Sequence, residues 1–440
     1  MKLRPSHIVV TRLLLGLVVA GSGLLALATA EGRSQAATAP APNTQNAKVV
    51  PRAVTGGLQH TVDGWAAEAD HAEWLGYSVP AANPERQACC GENWGSGSCG
   101  PCRLEGGEHG SNLSLGGEKV ELEAAARMIV LIRAETRKIG QIRMVSGGCT
   151  VDAGGLRVTW LGEVNAAESV SYLERFVDGN ELSGHGGRGL SQGALAAIAL
   201  HGDPSADRAL RTFTSPDKPE GLRKQTAFWA GEARGAAGLA LLKRMAKDDP
   251  STEVRAQVTF ALSVSREGDA VDEMIRMAKD DASGHVRSQA LFWLGQKGGR
   301  KAVATISAAI ENDPDTEVRK KAVFALSQLP KDEGVPMLIE VAQKNPSPEV
   351  RSQALFWLAQ KAGKKAAGAI SGAIENDPDT EVKKKAVFAL SQLPKDEGVP
   401  KLIEVAETNR NPEVRKQAMF WLGQSNDPRA VDFFEKVLSK

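Results

Sequence analysis

This 440-residue chain has no excess of charge of either sign: 54 Lys and Arg stand against 53 Asp and Glu, a net of +1. A polyanion-binding surface would show as clustered base, so nucleic acid is excluded as an expected partner. Cysteine is lacking over the whole C-terminal two thirds, because all five residues of that type lie at or before position 149. Catalytic strings are lacking as well. Gly184-His185-Gly186-Gly187-Arg188-Gly189 has neither the lysine nor the flanking strand of a phosphate loop. No Ser-His-Asp or paired-carboxylate constellation stands out. The expectation is a chain without catalytic residues, cofactor or dedicated metal site.

The first thirty residues read as a signal rather than as part of the fold. Lys2, Arg4 and Arg12 precede an apolar run from Leu13 to Ala28, and Ala28-Thr29-Ala30 offers a small-x-small cleavage pattern. Removal of residues 1–30 would leave an exported protein, periplasmic or secreted. The alternative is a single-pass N-terminal anchor, for which the run is short and interrupted by glycine. Residues 31–55, rich in Ala, Pro, Thr and Gln, cannot bury a core and read as a flexible linker.

Residues 56–163 read as a small β-rich domain that holds Cys89, Cys90, Cys99, Cys102 and Cys149. In an oxidising compartment disulfides are the default, with one thiol left over. Zinc on Cys89 or Cys90, Cys99, Cys102 and His109 is a second reading, though its spacing is irregular. Redox chemistry at Cys99-Gly100-Pro101-Cys102 is a third, and it requires a preceding strand and a following helix that the Gly- and Ser-rich flanks do not suggest. Met128–Ile132 and Ile139–Val145 read as a hairpin turning through Glu135-Thr136-Arg137-Lys138, with further strand near 149–152 and 156–161. Trp65, Trp74, Trp94 and Trp160 are its expected core. Asn165-Ala166-Ala167-Glu168 then has the spacing of a capping box and opens a helix.

From residue 164 to the end a different order takes over. Val254, Val286, Val318, Val350, Val382 and Val414 recur every 32 residues, each followed by Arg or Lys, and Leu222 and Leu190 extend the series backwards. A fixed period of this length means one unit stacked on copies of itself. Ser251, Ser283, Asp315, Ser347, Asp379 and Asn411 stand three residues before each valine as helix caps. Apolar residues then follow at the i, i+4, i+7, i+8 spacing of one buried face. A polar break such as Pro330–Gly334 and a second apolar stretch, Val335–Ala342, complete a helical hairpin. The fold expected is mainly α: an α-solenoid of such hairpins behind a small β-rich, cysteine-containing domain.

These residues resemble the HEAT repeat family, in the variant called phycobilisome-lyase-like HEAT repeats, here as an exported bacterial-type protein. The resemblance rests on Pro336 and Pro400 early in the first helix, on an acid or amide five residues before the valine, and on the Val-Arg pair. It implies a hydrogen-bonded ladder between repeats through Asp249, Arg255, Asp281, Arg287, Asp313, Arg319, Asp377 and Lys383. It also implies that the helix opened by the Val-Arg pair, the second of the family's unit, lines a concave side. Bilin attachment is not implied, since no motif carries it, and the His-Glu strings of the family's hydroxylase branch are absent.

A 64-residue period lies over the first. Trp229, Trp293, Trp357 and Trp421 alternate with Ala261, Ala325 and Ala389, so each indole is expected to fill the space an adjacent alanine leaves. A phenylalanine recurs at 228, 260, 292, 324, 356, 388 and 420. Gln257, Gln289, Gln353 and Gln417 precede it by three positions, and Gln296, Gln328, Gln360, Gln392 and Gln424 follow it by four. Two readings stand: the rings are inter-repeat core and the amides merely solvated, or the amides bond an extended peptide over the rings. The function expected is a noncatalytic scaffold binding a protein or peptide on the solenoid. The alternative is a thiol-disulfide oxidoreductase or zinc module at Cys99 and Cys102.

Overall fold

In the structure, a computed structural model, residues 40–83, 102–105, 126–179 and 189–439 are described. The signal, residues 31–39 of the linker, Cys89, Cys90, Cys99, His109 and Trp94 lie outside them. No helix among the described residues is long and apolar enough to cross a membrane.

The N-terminal module is built on a five-stranded mixed sheet. Its strands are β2 (Lys48–Pro51), β3 (Glu73–Pro80), β5 (Arg127–Glu135), β6 (Lys138–Ser146) and β8 (Arg157–Glu163), in the order β2-β8-β3-β5-β6. β5 and β6 form the hairpin read from sequence. Thr136 and Arg137 both take positive φ, 51° and 61°, as a two-residue turn matched to strand twist requires. β8 runs parallel to β2 and β3, which forces long connections. Helix α1 (Leu58–Glu68) lies within one of them. Three two-residue strands, β1 (Thr44–Gln45), β4 (Cys102–Arg103) and β7 (Val151–Asp152), make a second small sheet. β1 and β2 thus place structure inside the span read as flexible linker.

Trp65, Trp74 and Trp160 are buried as expected. The two faces of the sheet serve different cores. One gathers Trp74, Cys102, Cys149, Val151 and Trp160. The other carries Leu75, Tyr77, Val130 and Ile132 into a cluster shared with helices α2 (Ala166–Glu174), α3 (Leu190–Leu200) and α4 (Pro204–Phe213). The boundary drawn at 163/164 is therefore no break in packing, because the sheet covers the first hairpin of the array. Contact is close enough that a Cβ on Gly193 of α3 would lie 2.1 Å from the carbonyl oxygen of Ile142.

Asn165 caps α2 by accepting from the Glu168 amide (3.0 Å). The box does not close, because the Glu168 carboxylate accepts from the Leu58 amide (3.0 Å) and so ties α1 to α2. This is a favourable place for a negative charge, at a helix N-terminus.

The array continues through α5 (Glu220–Ala233), α6 (Gly235–Asp248), α7 (Thr252–Val264), α8 (Asp269–Asp280), α9 (Gly284–Lys297) and α10 (Arg300–Asn312). It ends with α11 (Thr316–Ser327), α12 (Val335–Lys344), α13 (Pro348–Ala362), α14 (Lys364–Asn376), α15 (Thr380–Ser391), α16 (Lys395–Thr408), α17 (Pro412–Gln424) and α18 (Pro428–Leu438). The recurring valines bury one face of the odd helices in a continuous core. Ser251, Asp315, Ser347, Asp379 and Asn411 cap their helices, whereas the Ser283 side chain makes no cap bond. Neighbouring odd helices pack along much of their length and neighbouring even helices only in part, so the odd row is the inner one. At Gly231 a Cβ would meet the Ala261 carbonyl oxygen at 2.1 Å, which fixes how near α5 and α7 come.

Candidate interaction surface

The solvent side of each odd helix is set by the helical turn. Counting from the valine, the glutamate one before it, the glutamine at +3, the phenylalanine at +6 and the glutamine at +10 share one stripe, away from the buried positions 0, +4 and +8. The rings from Phe228 to Phe388 are half-buried, and Phe420 is 55% exposed.

The rings touch one another from repeat to repeat. Phe228 stacks on Phe260, Phe292 on Phe324 and Phe356 on Phe388, at 5.9–6.4 Å between centroids and 10–11° between planes. Between these pairs Trp293, Trp357 and Trp421 lie over the phenylalanine of the preceding repeat, at 4.6–4.9 Å, and edge-on to their own. A continuous aromatic ribbon runs from Phe228 to Phe420. Trp293, Trp357 and Trp421 pack against the core beside Ala261, Ala325 and Ala389, as expected, but from its half-open edge. Ala261, Ala325 and Ala389 are themselves fully buried, and the indoles of Trp293, Trp357 and Trp421 are only half-buried, spread across a neighbouring ring.

Gln257, Gln289, Gln353 and Gln417 are half-buried beside the ribbon, and none of their amides is bonded within the protein. Gln296, Gln360 and Gln424 are exposed and equally unbonded. Gln328 and Gln392 bond only the adjacent Ser327 and Ser391 hydroxyls. The glutamines do not bond to each other. They form two rows of open donors and acceptors along an apolar ribbon.

The ladder occupies the other flank of the same helices. Arg223 holds Asp249 through two bonds (2.8 and 3.2 Å), Arg255 holds Asp281 (2.8 and 3.1 Å), Arg287 holds Asp313 (2.8 and 2.9 Å) and Arg351 holds Asp377 (2.7 and 2.9 Å). Each carboxylate also accepts the amide two residues on, as Asp249 does from Ser251 (2.9 Å). Hydrogen bonds to the acids raise Arg255, Arg287 and Arg351 above the usual guanidinium range. Two rungs are missing. The residue 26 positions after Arg319 is Asn345, and Arg319 instead bonds Thr316 (2.6 Å) and leaves its Nε buried without a partner. Lys383 faces Asn409 in sequence and turns to the Glu375 carbonyl (2.9 Å). An amide cannot supply the charge that a paired guanidinium needs when removed from water.

Cys102 and Cys149 are each 1% exposed and disulfide-bonded. Cys102, the second cysteine of the Cys-x-x-Cys string, opens strand β4 and not a helix. Among the described residues no group of three His, Cys, Asp or Glu could hold a metal.

One buried cluster gave no signal in the sequence. The Tyr77 hydroxyl meets the Ser169 hydroxyl (2.8 Å), which meets His201 Nε2 (2.8 Å), while Nδ1 lies 2.6 Å from the Ala197 carbonyl oxygen. That carbonyl can only accept, so Nδ1 carries the proton. Nε2 then accepts from Ser169, and Ser169 from Tyr77. All three residues are at most 0% exposed, and burial pushes His201 down to about 4. A serine–histidine contact with no access to solvent is a device of folding, joining sheet, α2 and the end of α3.

Residues 271–359, 335–420 and 367–440 match the profile described as HEAT repeats. Similar solved structures include Escherichia coli YibA, 20% identical over 53% of this chain and 86% of that one, with a TM-score of 0.32. Human deoxyhypusine hydroxylase in complex with glycerol is 17% identical over 62% and 97%, with a TM-score of 0.25. The CpcE–CpcF complex of phycocyanin lyase from Nostoc sp. PCC7120 is 23% identical over 44% and 79%, with a TM-score of 0.27. Likeness at this level carries nothing about activity. Among curated proteins none matches.

Proposed function

We propose that this HEAT-repeat chain, matched over residues 271–440, is a noncatalytic scaffold that holds a protein or peptide on its odd-helix face, and that it works after export, in the periplasm or secreted. The ribbon from Phe228 to Phe420 carries the reading, with its unbonded glutamines on either side. Contiguous, partly open apolar surface rimmed by polar groups marks an interaction site. A long stripe of modest contacts suits a scaffold better than a pocket suits a substrate. The disulfide-bonded state of Cys102 and Cys149 supports the oxidising compartment. An uncleaved leader would make the same protein membrane-tethered.

The test is photo-crosslinking from within the protein. Benzoylphenylalanine replaces Phe356 on the inner row or, as control, Glu404 on α16 of the outer row, and the purified chain is irradiated in envelope extract. Discrete protein adducts at 356 and not at 404 are the expected result. Adducts at neither position, with the fold intact, would remove the reading.

A further inference from the structure

At several junctions of the outer row, where successive even helices meet, a cation on one side faces an acid on the other. Lys243 meets Asp269 between α6 and α8 (3.4 Å), Lys301 meets Asp272 between α8 and α10 (2.7 Å), and Lys436 meets Glu407 between α16 and α18 (3.1 Å). Lys365 of α14 likewise reaches Asp332, just before α12 (3.3 Å). Between α4 and α6 the cation that reaches across is Arg244, and it finds the Thr214 hydroxyl (3.0 Å) and the Arg211 carbonyl oxygen (3.5 Å) instead of a carboxylate. Arg211 and Arg244 line one recess there of about 350 Å³, with Leu210, Ala240 and Leu241 as its apolar wall. Arg234 and Asp207 line it too, and they neutralise each other. Arg234 Nε and Nη2 both donate to Asp207 Oδ1 (2.9 and 2.8 Å), and its Nη1 donates to the Ala199 and His201 carbonyl oxygens. Of the other charges around the recess, Glu174 of α2 and Asp203 lie within reach of Arg208, and Lys243 has Asp269. Asp248 stands one turn beyond Arg244 and next to Lys247; both are exposed, and its carboxylate bonds neither cation. Among the described residues Arg211 and Arg244 thus pair with no acid. Two guanidiniums share a half-apolar hollow.

We propose that this recess binds a small organic phosphate, a monoester whose dianion lies between Arg211 and Arg244 and whose short apolar chain lies on Leu210 and Leu241. The site is independent of the aromatic ribbon, which runs on the odd helices. Two like charges in one hollow repel each other, and an anion from outside replaces that repulsion by attraction. A phosphate monoester carries about −1.5 to −2 charges near pH 7, enough for two guanidiniums, whose planar forks match its oxygens. The apolar wall selects an ester over the bare ion, because a chain laid on Leu210 and Leu241 leaves water. The volume lies at the lower end of the roughly 300–1,000 Å³ of small-molecule sites. It has room for one short chain.

The probe is hexyl phosphate, titrated calorimetrically into the full chain beside inorganic phosphate, hexanoate and hexanol. The expected result is saturable binding with a dissociation constant below about 1 mM, about tenfold or more tighter than for any of the other three. Arg211→Gln combined with Arg244→Gln, both at exposed positions, is expected to keep the melting temperature and to weaken hexyl phosphate about tenfold or more. Ala240→Glu lies on the recess wall one turn before Arg244 and supplies the missing acid from within. It is expected to abolish binding with the melting temperature kept or raised. Lys247→Gln, outside the recess, should bind as the parent does. No binding of hexyl phosphate overturns the proposal, as does equal binding of inorganic phosphate or hexanoate. So does undiminished binding by the Ala240→Glu variant or by the double arginine variant. A loss in Lys247→Gln as large as in the double variant would mean a diffuse surface field and overturn it equally.

Discussion

The sheet module and the repeat array are stabilised by contacts of opposite range. In the module, Glu168 bonds an amide 110 residues earlier and Asn46 reaches Asp152 across 106. In the array the strongest polar contacts span 26 residues, from one hairpin to the next. The module should therefore gain or lose its structure as a unit, while the array should respond hairpin by hairpin.

The largest expected effect comes from breaking a rung. Arg351→Ala leaves Asp377 buried and unpaired, at a cost of about 3–5 kcal/mol. Amide exchange is expected to quicken in α13 to α15 and to stay unchanged in β3 and β5; a uniform change would show that the array is not modular. Trp74→Ala sits on the other side of the comparison. It removes a fully buried indole that donates to Glu105 (2.9 Å), at about 3–5 kcal/mol. Exchange should rise throughout the sheet together, read by the same measurement.

Acid probes the seam between the two regions. Burial holds His201 down to about 4 when folded, against an ordinary histidine value of about 6.5 in the unfolded chain, so the unfolded chain binds the proton first as pH falls. Stability is full above about 6.5 and is lost progressively down to about 4, up to about 3 kcal/mol. Denaturant midpoints between pH 7 and 4 should fall for the parent and fall less for His201→Gln. A variant tracking the parent would place the acid sensitivity elsewhere.

The mildest change adds instead of removing. Asn345→Asp supplies the acid missing opposite Arg319, and about 1 kcal/mol of stabilisation is expected, visible as slower exchange in α11 and α13. No change would mean that desolvation offsets the new pair.

The array was legible because its contacts are local. A 32-residue period, capping residues before each valine and the Phe and Trp spacings all survive in the one-dimensional string. The hairpin at 127–146 was legible for the same reason. β2 was not, because Lys48-Val49-Val50-Pro51 becomes a strand only when β8, far along the chain, lies beside it. Ser283 has a capping residue's identity but not its bond. The failed rungs at Arg319 and Lys383 were written in the sequence as Asn345 and Asn409. An amide matches a carboxylate in shape and spacing but not in charge, and charge decides that site.

The missing rungs also bear on mechanics. Three consecutive rungs tie the hairpins from α5 to α10, whereas beyond α11 a tied junction alternates with an untied one. Pulled from its ends, such a molecule behaves as a stiff segment in series with softer joints. It would lengthen first at Arg319 and Lys383, opening the gap between 64-residue blocks before any block unravels.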